Sequence, residues 1–283
     1  MHLLPLKKKE LSHIYRADLH CHSTCSDGTH TPEELLTLAH EKGLSALCIT
    51  DHNTLNAYTD ALFEESRKRG IILYRGVEFS SRYQNVPVDI LGYGIKKTKE
   101  ILDFCNKHVE RRTRRNRMIL EKLKRLAIII EEKELHPFSH SMIGRPHIAK
   151  TLLNKGYVVS IQEAFNRYLG EGKPCFIPGE TFSPQETIAM IHQAGGKAFL
   201  AHPHIIRKNQ ILRALYTMNF DGIECYYNLF HEKENKKWLQ VAKNNQWLVS
   251  GGSDFHGSFK PHISLGCAWV DQEKVNQIFH SCE

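Results

Sequence analysis

No apolar run in the 283 residues approaches the ~20 that a helix needs to cross a bilayer. The stretch around Lys7-Lys8-Lys9-Glu10 has none of the long apolar core of a secretion signal, so a cytoplasmic location is expected. Eight cysteines are present, but none forms a C-x-x-C pair, and the closest two are Cys21 and Cys25. A disulfide framework and a cysteine zinc site are therefore not expected; reduced, mostly buried thiols are. The sequence also lacks G-x-S-x-G and the P-loop pattern, which removes support for serine acyl chemistry and for cradling a nucleoside triphosphate. Internal repeats and low-complexity linkers are missing too, so one large domain, or a core with a small insert, fits the length.

What is abundant is histidine, eighteen in all, on a chain with 41% hydrophobic residues and a net charge of +7. Many of these histidines, such as His2, His13, His40, His192 and His280, stand in no pattern and read as ordinary surface or core residues. Others cluster with acids. In Asp18-Leu19-His20-Cys21-His22 a short apolar-polar alternation runs into a turn at Ser26-Asp27-Gly28. Residues two apart on a strand share a face, so His20 and His22 point together, Cys21 points away, and Asp27 can fold back over the pair. Similar clusters follow at Asp51-His52, Glu78, His202-Pro203-His204 and Asp254-x-His256, each near the end of an apolar run. Imidazoles and carboxylates converging at strand ends make a site for divalent metal.

The runs themselves alternate. Thr31-Pro32-Glu33-Glu34 starts a helix ended by Gly43; Leu44–Thr50 is a strand buried on both faces; a helix is expected from Leu55 to Arg69, a strand over Ile71–Tyr74 delivering Glu78, and another over Val86–Gly92 containing Asp89. Alternation stops near Ile101, where the chain turns helical and basic, and resumes with a helix at Pro184. Strands at Lys197–Ala201, Gly222–Cys225 and Trp247–Ser250 follow. Strand–helix alternation with polar ligands at strand ends predicts an α/β barrel with its site on the C-terminal face, interrupted by a helical insert.

The insert holds five arginines within seven residues, from Arg111 to Arg117. Ile119, Leu120, Leu123 and Leu126 form its packing stripe; Arg111, Arg114, Arg115, Lys122 and Arg125 lie on another arc. Arginine favours bidentate phosphate binding, so an anionic partner is expected; a solvated charged face is the alternative.

In order and spacing, Asp18-Leu19-His20-x-His22-Ser23-x-x-Ser26-Asp27-Gly28, Ile49-Thr50-Asp51-His52-Asn53-Thr54, Gly76-Val77-Glu78, Ala201-His202-Pro203 and Gly252-Ser253-Asp254-x-His256 resemble the successive motifs of the PHP (polymerase and histidinol phosphatase) phosphoesterase superfamily, from about residue 16 to 270. The resemblance implies a distorted (β/α)7 TIM-like barrel in two parts, residues 1–100 and 176–283, around an inserted helical domain at 101–175. It implies two or three divalent ions, Mn²⁺ foremost with Zn²⁺, Fe²⁺ or Mg²⁺ open, held by His20, His22, Asp27, His52, Glu78, Asp89, His202, Asp254 and His256. Asp89 stands where the family often has histidine, which moves the site toward harder ions; its other reading is a strand acid paired with a nearby Lys or Arg. His204 departs from the family pattern and is not expected to be a ligand. Asp27, His202 and His256 are implied to be catalytic residues, with hydroxide supplied by ion-bound water.

Arg-x-x-Arg in the first insert helix, Gly144-Arg145-Pro146-His147, Ala164-Phe165-x-x-Tyr168-Leu169-Gly170 and Ala194-Gly195-Gly196 resemble the branch acting on 3′,5′-nucleoside bisphosphates, whose relatives trim 5′ ends of short RNA. That branch implies a phosphate clamp of Arg111, Arg114, Arg145 and His147, with Arg115 as a neighbour. The expected activity is removal of the 3′-phosphate of a nucleoside bisphosphate, or 5′→3′ trimming of short oligonucleotides, with neither a membrane nor a protein partner indicated. Histidinol phosphatase fits poorly with an arginine-rich insert, and a non-catalytic nucleic-acid-binding module fits poorly with so complete a ligand set.

Overall fold

The computed structural model describes residues 14–135, 143–180, 182–228 and 230–280; Lys7-Lys8-Lys9, His2 and His13 lie outside the described residues. Seven strands form a sheet in which chain order is also spatial order: β1 (Ala17–Cys21), β2 (Ala46–Ile49), β3 (Ile72–Tyr83), β4 (Val86–Tyr93), β5 (Lys197–Leu200), β6 (Gly222–Tyr227) and β7 (Leu248–Gly252). β1, β2 and β3 are parallel, as are β5, β6 and β7, while β4 runs antiparallel to both neighbours. The sheet nearly closes as a barrel just past β7. There Asp254 N–H donates to His20 O at 2.7 Å, Ser253 N–H donates to Asp18 Oδ1 at 2.9 Å, and Cys21 pairs with Phe255.

Helices α1 (Pro32–Glu41) and α2 (Asp60–Lys68) cross over between the first parallel strands, α7 (Asn209–Leu215) and α8 (Glu232–Asn245) between the last, with α6 (Pro184–Gln193) and α9 (Gln272–Phe279) completing the shell. α1 starts as its sequence dictates. Thr31 Oγ1 accepts from Glu34 N–H at 3.2 Å while Glu34 Oε2 accepts from Thr31 N–H at 2.8 Å, a reciprocal cap contributing about 1 kcal/mol. α2 begins later than the apolar pattern suggests. Leu55 and Tyr58 are buried in an irregular segment, where Tyr58 OH donates to Ile49 O at 2.5 Å and accepts from Gly76 N–H at 2.9 Å, stitching β2 to β3.

β3 is longer than the expected Ile71–Tyr74, and Glu78 lies inside it rather than after it. The reason is the pleat: Val77 and Phe79 face the core, while Gly76, Glu78 and Ser80 on the other face are small or polar, so no apolar run marks the strand. A two-residue turn at Gln84-Asn85, with φ of 46° and 64°, joins β3 to β4 in the left-handed geometry that matches hairpin twist.

Between β4 and β5 come α3 (Lys99–Arg125), α4 (Arg145–Asn154) and α5 (Ile161–Ala164). Ile119, Leu123, Ile148, Leu152, Ala164 and Leu169 form a second apolar core, whereas Ile101, Phe104 and Cys105 belong to the main one. α3 is thus shared by both cores, and the expected boundary at residue 101 falls in its first turn.

The closure gives a stability prediction. A Cβ at Gly252 would lie 2.3 Å from His20 N and 2.4 Å from its Cβ. Gly252→Ala is expected to cost about 3 kcal/mol, the upper end for overpacking, read as a lowered midpoint in thermal unfolding; an unchanged midpoint would show that the seam is loose.

Candidate metal centre and the anion cavity beside it

The acids and histidines meet at the C-terminal ends of the parallel strands. His20 comes from β1, His22 and Asp27 from the turn after it, His52 from the end of β2, Glu78 and Asp89 from β3 and β4, and His202, Asp254 and His256 from just past β5 and β7. The turn after β1 is built on Asp51, whose Oδ1 accepts from Ser23 N–H at 2.8 Å and Ser26 Oγ–H at 2.5 Å, and whose Oδ2 accepts from Ser23 Oγ–H at 2.5 Å. Gly28 completes it, because a Cβ there would sit 2.1 Å from His22 O. Asn53, His202 and Asp254 all have positive φ, of 56°, 24° and 53°, a concentration of unusual backbone that marks functional sites.

Three groups of donors form. His20 and His22 converge on Glu78, with Asp254 Oδ1 at 3.5 and 3.4 Å from their Nε2 atoms; Glu78, Asp89 and His202 make a second group; His22, Asp27, His52 and His256 a third. Glu78 belongs to two, with Oε2 3.2–3.4 Å from His20, His22 and His52 and Oε1 2.8 Å from His202. Every residue expected as a metal ligand is in this assembly. Asp89 sits 3.9 Å from His202 and is grouped with His202 and Glu78.

The donors fit divalent cations. His20 Nε2, both nitrogens of His22 and His52 Nδ1 are buried with no hydrogen-bond partner, a costly state that a metal ion relieves. Outer partners set the tautomers. Glu224 Oε1 lies 2.8 Å from His20 Nδ1 and Asp254 O lies 2.9 Å from His256 Nδ1, so each ring spends its proton there and offers Nε2 to the centre. Charge is shared throughout. Burial alone would raise the Glu78 carboxyl, but His52 and His20 hold it well below the carboxylate range; burial opposes protonation of His22, yet Asp254 and Glu78 raise it to about 9. Tyr227 and Lys260 each donate to Asp254 Oδ2 at 2.6 Å.

Sequence reasoning missed Glu224, Tyr227 and Lys260. The first had a signal: an acid inside the otherwise apolar Gly222–Cys225 strand.

A cavity of about 230 Å³ opens beside this cluster, lined by Asp27, His52 and Asp89 together with Arg82, Arg112, Arg115 and Arg145. Arg112 is half-buried, and Asp27, Asp89 and Glu78 offset the desolvation that disfavours its charge. Arg115 is disfavoured by burial and then by its like-charged neighbours Arg112 and Arg145, and its buried Nε has no partner. Such a crowd of half-buried cations suits an anion.

Of the four expected clamp residues, Arg145 lines the cavity and His147 lies buried close enough to feel the Asp27 charge, its Nδ1 accepting from Gly144 N–H at 2.8 Å. Arg111 instead stacks on Phe182, 3.8 Å from the ring centre, and Arg114 points outward to Glu180 at 3.5 Å. Sequence reasoning passed over Arg82 and Arg112, which line the same cavity. Phe104, His108, Arg112 and Asn116 repeat every four residues on the buried face of α3, so extending the Ile119–Leu123 stripe backward reaches Arg112, while Arg111 lies about 100° away. His108 serves as packing: burial first, then Arg112 and Arg111, depress it to about 3, and its neutral ring stacks among Phe79, Phe104 and Phe182.

The PHP domain model matches residues 18–228, about three quarters of the chain. The chain belongs to the PHP family. Over 257 residues it is 32% identical to the 5′-3′ exoribonuclease Rnm of Escherichia coli, covering 88% of this chain and 87% of that one. It is 30% identical to a 3′,5′-nucleoside bisphosphate phosphatase of Chromobacterium violaceum, covering 84% and 86%. A Bifidobacterium adolescentis structure assigned as a metal-dependent phosphoesterase superposes with a TM-score of 0.84 at 29% identity, over 93% and 95% of the two chains. This PHP protein is therefore a phosphoesterase, a hydrolase whose His/Asp/Glu cluster is suited to divalent metals. Among the described residues no helix is long and apolar enough to cross a membrane.

Ion binding should be visible in stability. Mn²⁺ at about a thousand times its Kd is expected to add ~4 kcal/mol to folding, seen as a raised unfolding midpoint that EDTA reverses. Glu78→Gln removes the shared carboxylate and should abolish most of that shift; a full shift in the variant would contradict the shared-ligand arrangement.

Proposed function

We propose that this PHP phosphoesterase removes the 3′-phosphate of nucleoside 3′,5′-bisphosphates and trims short RNA from the 5′ end in the cytoplasm, on two or three divalent ions with Mn²⁺ preferred. The observation that carries this reading is one cavity lined both by metal-type donors and by Arg82, Arg112, Arg115 and Arg145. A substrate with one phosphate has no use for the arginines; one with two phosphates on a nucleoside uses both sets. The names of the Escherichia coli and Chromobacterium violaceum relatives support the same substrate class.

His20, His22, Glu78 and Asp254 would hold one ion, Glu78, Asp89 and His202 a second, and Asp27, His52 and His256 a third. Ions held so close together lower the pKa of bound water toward neutrality and offset charge on the scissile phosphate. The chain's own part is placement. Arg112 and Arg145 grip the neighbouring 5′-phosphate with charge-assisted hydrogen bonds, and Arg115 adds a buried N–H. Asp27, His202 and His256 border the reacting phosphate. His147 braces the start of α4 behind Arg145; because its Nδ1 accepts from Gly144, its neutral ring carries the proton on Nε2. In RNA the same two positions take the 5′-phosphate and the first internucleotide phosphate.

The test is phosphate release with Mn²⁺ from adenosine 3′,5′-bisphosphate, AMP, histidinol phosphate and p-nitrophenyl phosphate. Bisphosphate turnover without AMP turnover is expected. Arg112→Ala should lower kcat/KM for the bisphosphate about 10²-fold, the ~3 kcal/mol of a lost partner to a buried charge, and leave p-nitrophenyl phosphate unchanged. Preference for histidinol phosphate, indifferent to Arg112, would refute the proposal.

A further inference from the structure

The anion cavity is not closed beyond its arginines. Arg115 and Pro178 form part of its wall and also of two further hollows. One is small and lies under Arg111, Gly179 and Glu180; the other, of about 350 Å³, is lined by Arg111, Arg114, Arg115, Met118, Ile177 and Pro178. The shared residues make the three hollows neighbours, ranged from the metal donors past the arginines to the groove along α3. At about 350 Å³ the outer groove has the capacity of a small-molecule site, typically roughly 300–1,000 Å³.

Its lining is unlike that of a solvated charged face. Arg111, Arg114 and Met118 sit three and four residues apart and so share one side of α3. Met118 is half exposed although apolar, opposite Ile177 and Pro178. Arg114 makes an exposed contact with Glu180, a pairing that contributes little. Guanidinium planes beside an apolar floor suit a nucleobase and the phosphate joined to it.

We propose that this groove is a nucleoside subsite on the 5′ side of the clamped phosphate, occupied by the first nucleoside of an oligoribonucleotide whose internucleotide phosphate takes the clamp. It rests on the reading above, in which the clamped phosphate is the 5′ one. The protein then accepts a dinucleotide bearing a 3′-phosphate, ApAp, as it accepts adenosine 3′,5′-bisphosphate. It follows that the clamp does not demand a terminal 5′-phosphate, and that chains can be engaged one nucleotide in from their end.

Two measurements test this, using Arg114→Glu and Met118→Glu, both exposed and outside the clamp. First, binding of fluorescently labelled ApAp and of adenosine 3′,5′-bisphosphate is compared by anisotropy in EDTA. Each substitution is expected to weaken ApAp at least tenfold and the bisphosphate less than twofold. Second, with Mn²⁺, kcat/KM for 3′-phosphate release should fall for ApAp alone. Equal effects on both ligands, no effect on ApAp, or wild-type failure to bind ApAp would overturn the subsite. If wild type binds both ligands as described but releases phosphate from neither, the functional reading fails while the subsite stands.

Discussion

Glu78 is buried with four imidazoles 2.8–3.4 Å from its two oxygens, and much of the rest of the fold serves to keep it there. A carboxylate taken out of water costs several kcal/mol unless it is met by compensating charge or hydrogen bonds. The compensation here comes from β1, β2 and β5 simultaneously, so those strands must end at the same level. The seam between β7 and β1, the bridge between His52 and Glu78, and the Glu224 carboxylate that aligns His20 and accepts from His202 N–H at 2.8 Å all act to hold that level. An acid at the centre and imidazoles around it also explain why so many polar side chains can be buried in one place: each is another's partner, and ions complete what they leave open.

The candidate ligands are legible in the sequence because the barrel puts them at strand ends, where an apolar run stops and a histidine or acid follows. His20, His22, His52, His202, Asp254 and His256 all obey that rule. Glu78 and Asp89 do not, since they lie within strands. Glu78 stands out by following the Ile71–Tyr74 run and Asp89 by its place in the motif, while the strand around Glu78 extends past that run because its inner face there carries no apolar residues. Glu224 and Asp51 act through other residues rather than as ligands, and what they accept from is set by tertiary geometry that no local pattern encodes.

The arginines were legible as a class but not one by one. Composition marked the segment, yet choosing among neighbours on a helix requires its rotation, and each residue of error turns the choice by about 100°. That rotation is set by both ends of α3 together. Phe104 and Cys105 seat it on the barrel; Ile119 and Leu123 seat it in the second core. Only with both fixed does Arg112 face the carboxylates while Arg114 faces solvent.

A helix anchored in two cores also behaves as a ruler. α3 runs unbroken for 27 residues, ~40 Å at 1.5 Å per residue, and Arg112 lies between its two anchored stretches. The distance from guanidinium to metal donors is then not free to adapt to the ligand. On the function proposed above, molecules are sorted by the separation of their two phosphates, a gauge that a ribose sets and that neither a pyrophosphate nor a lone monoester matches.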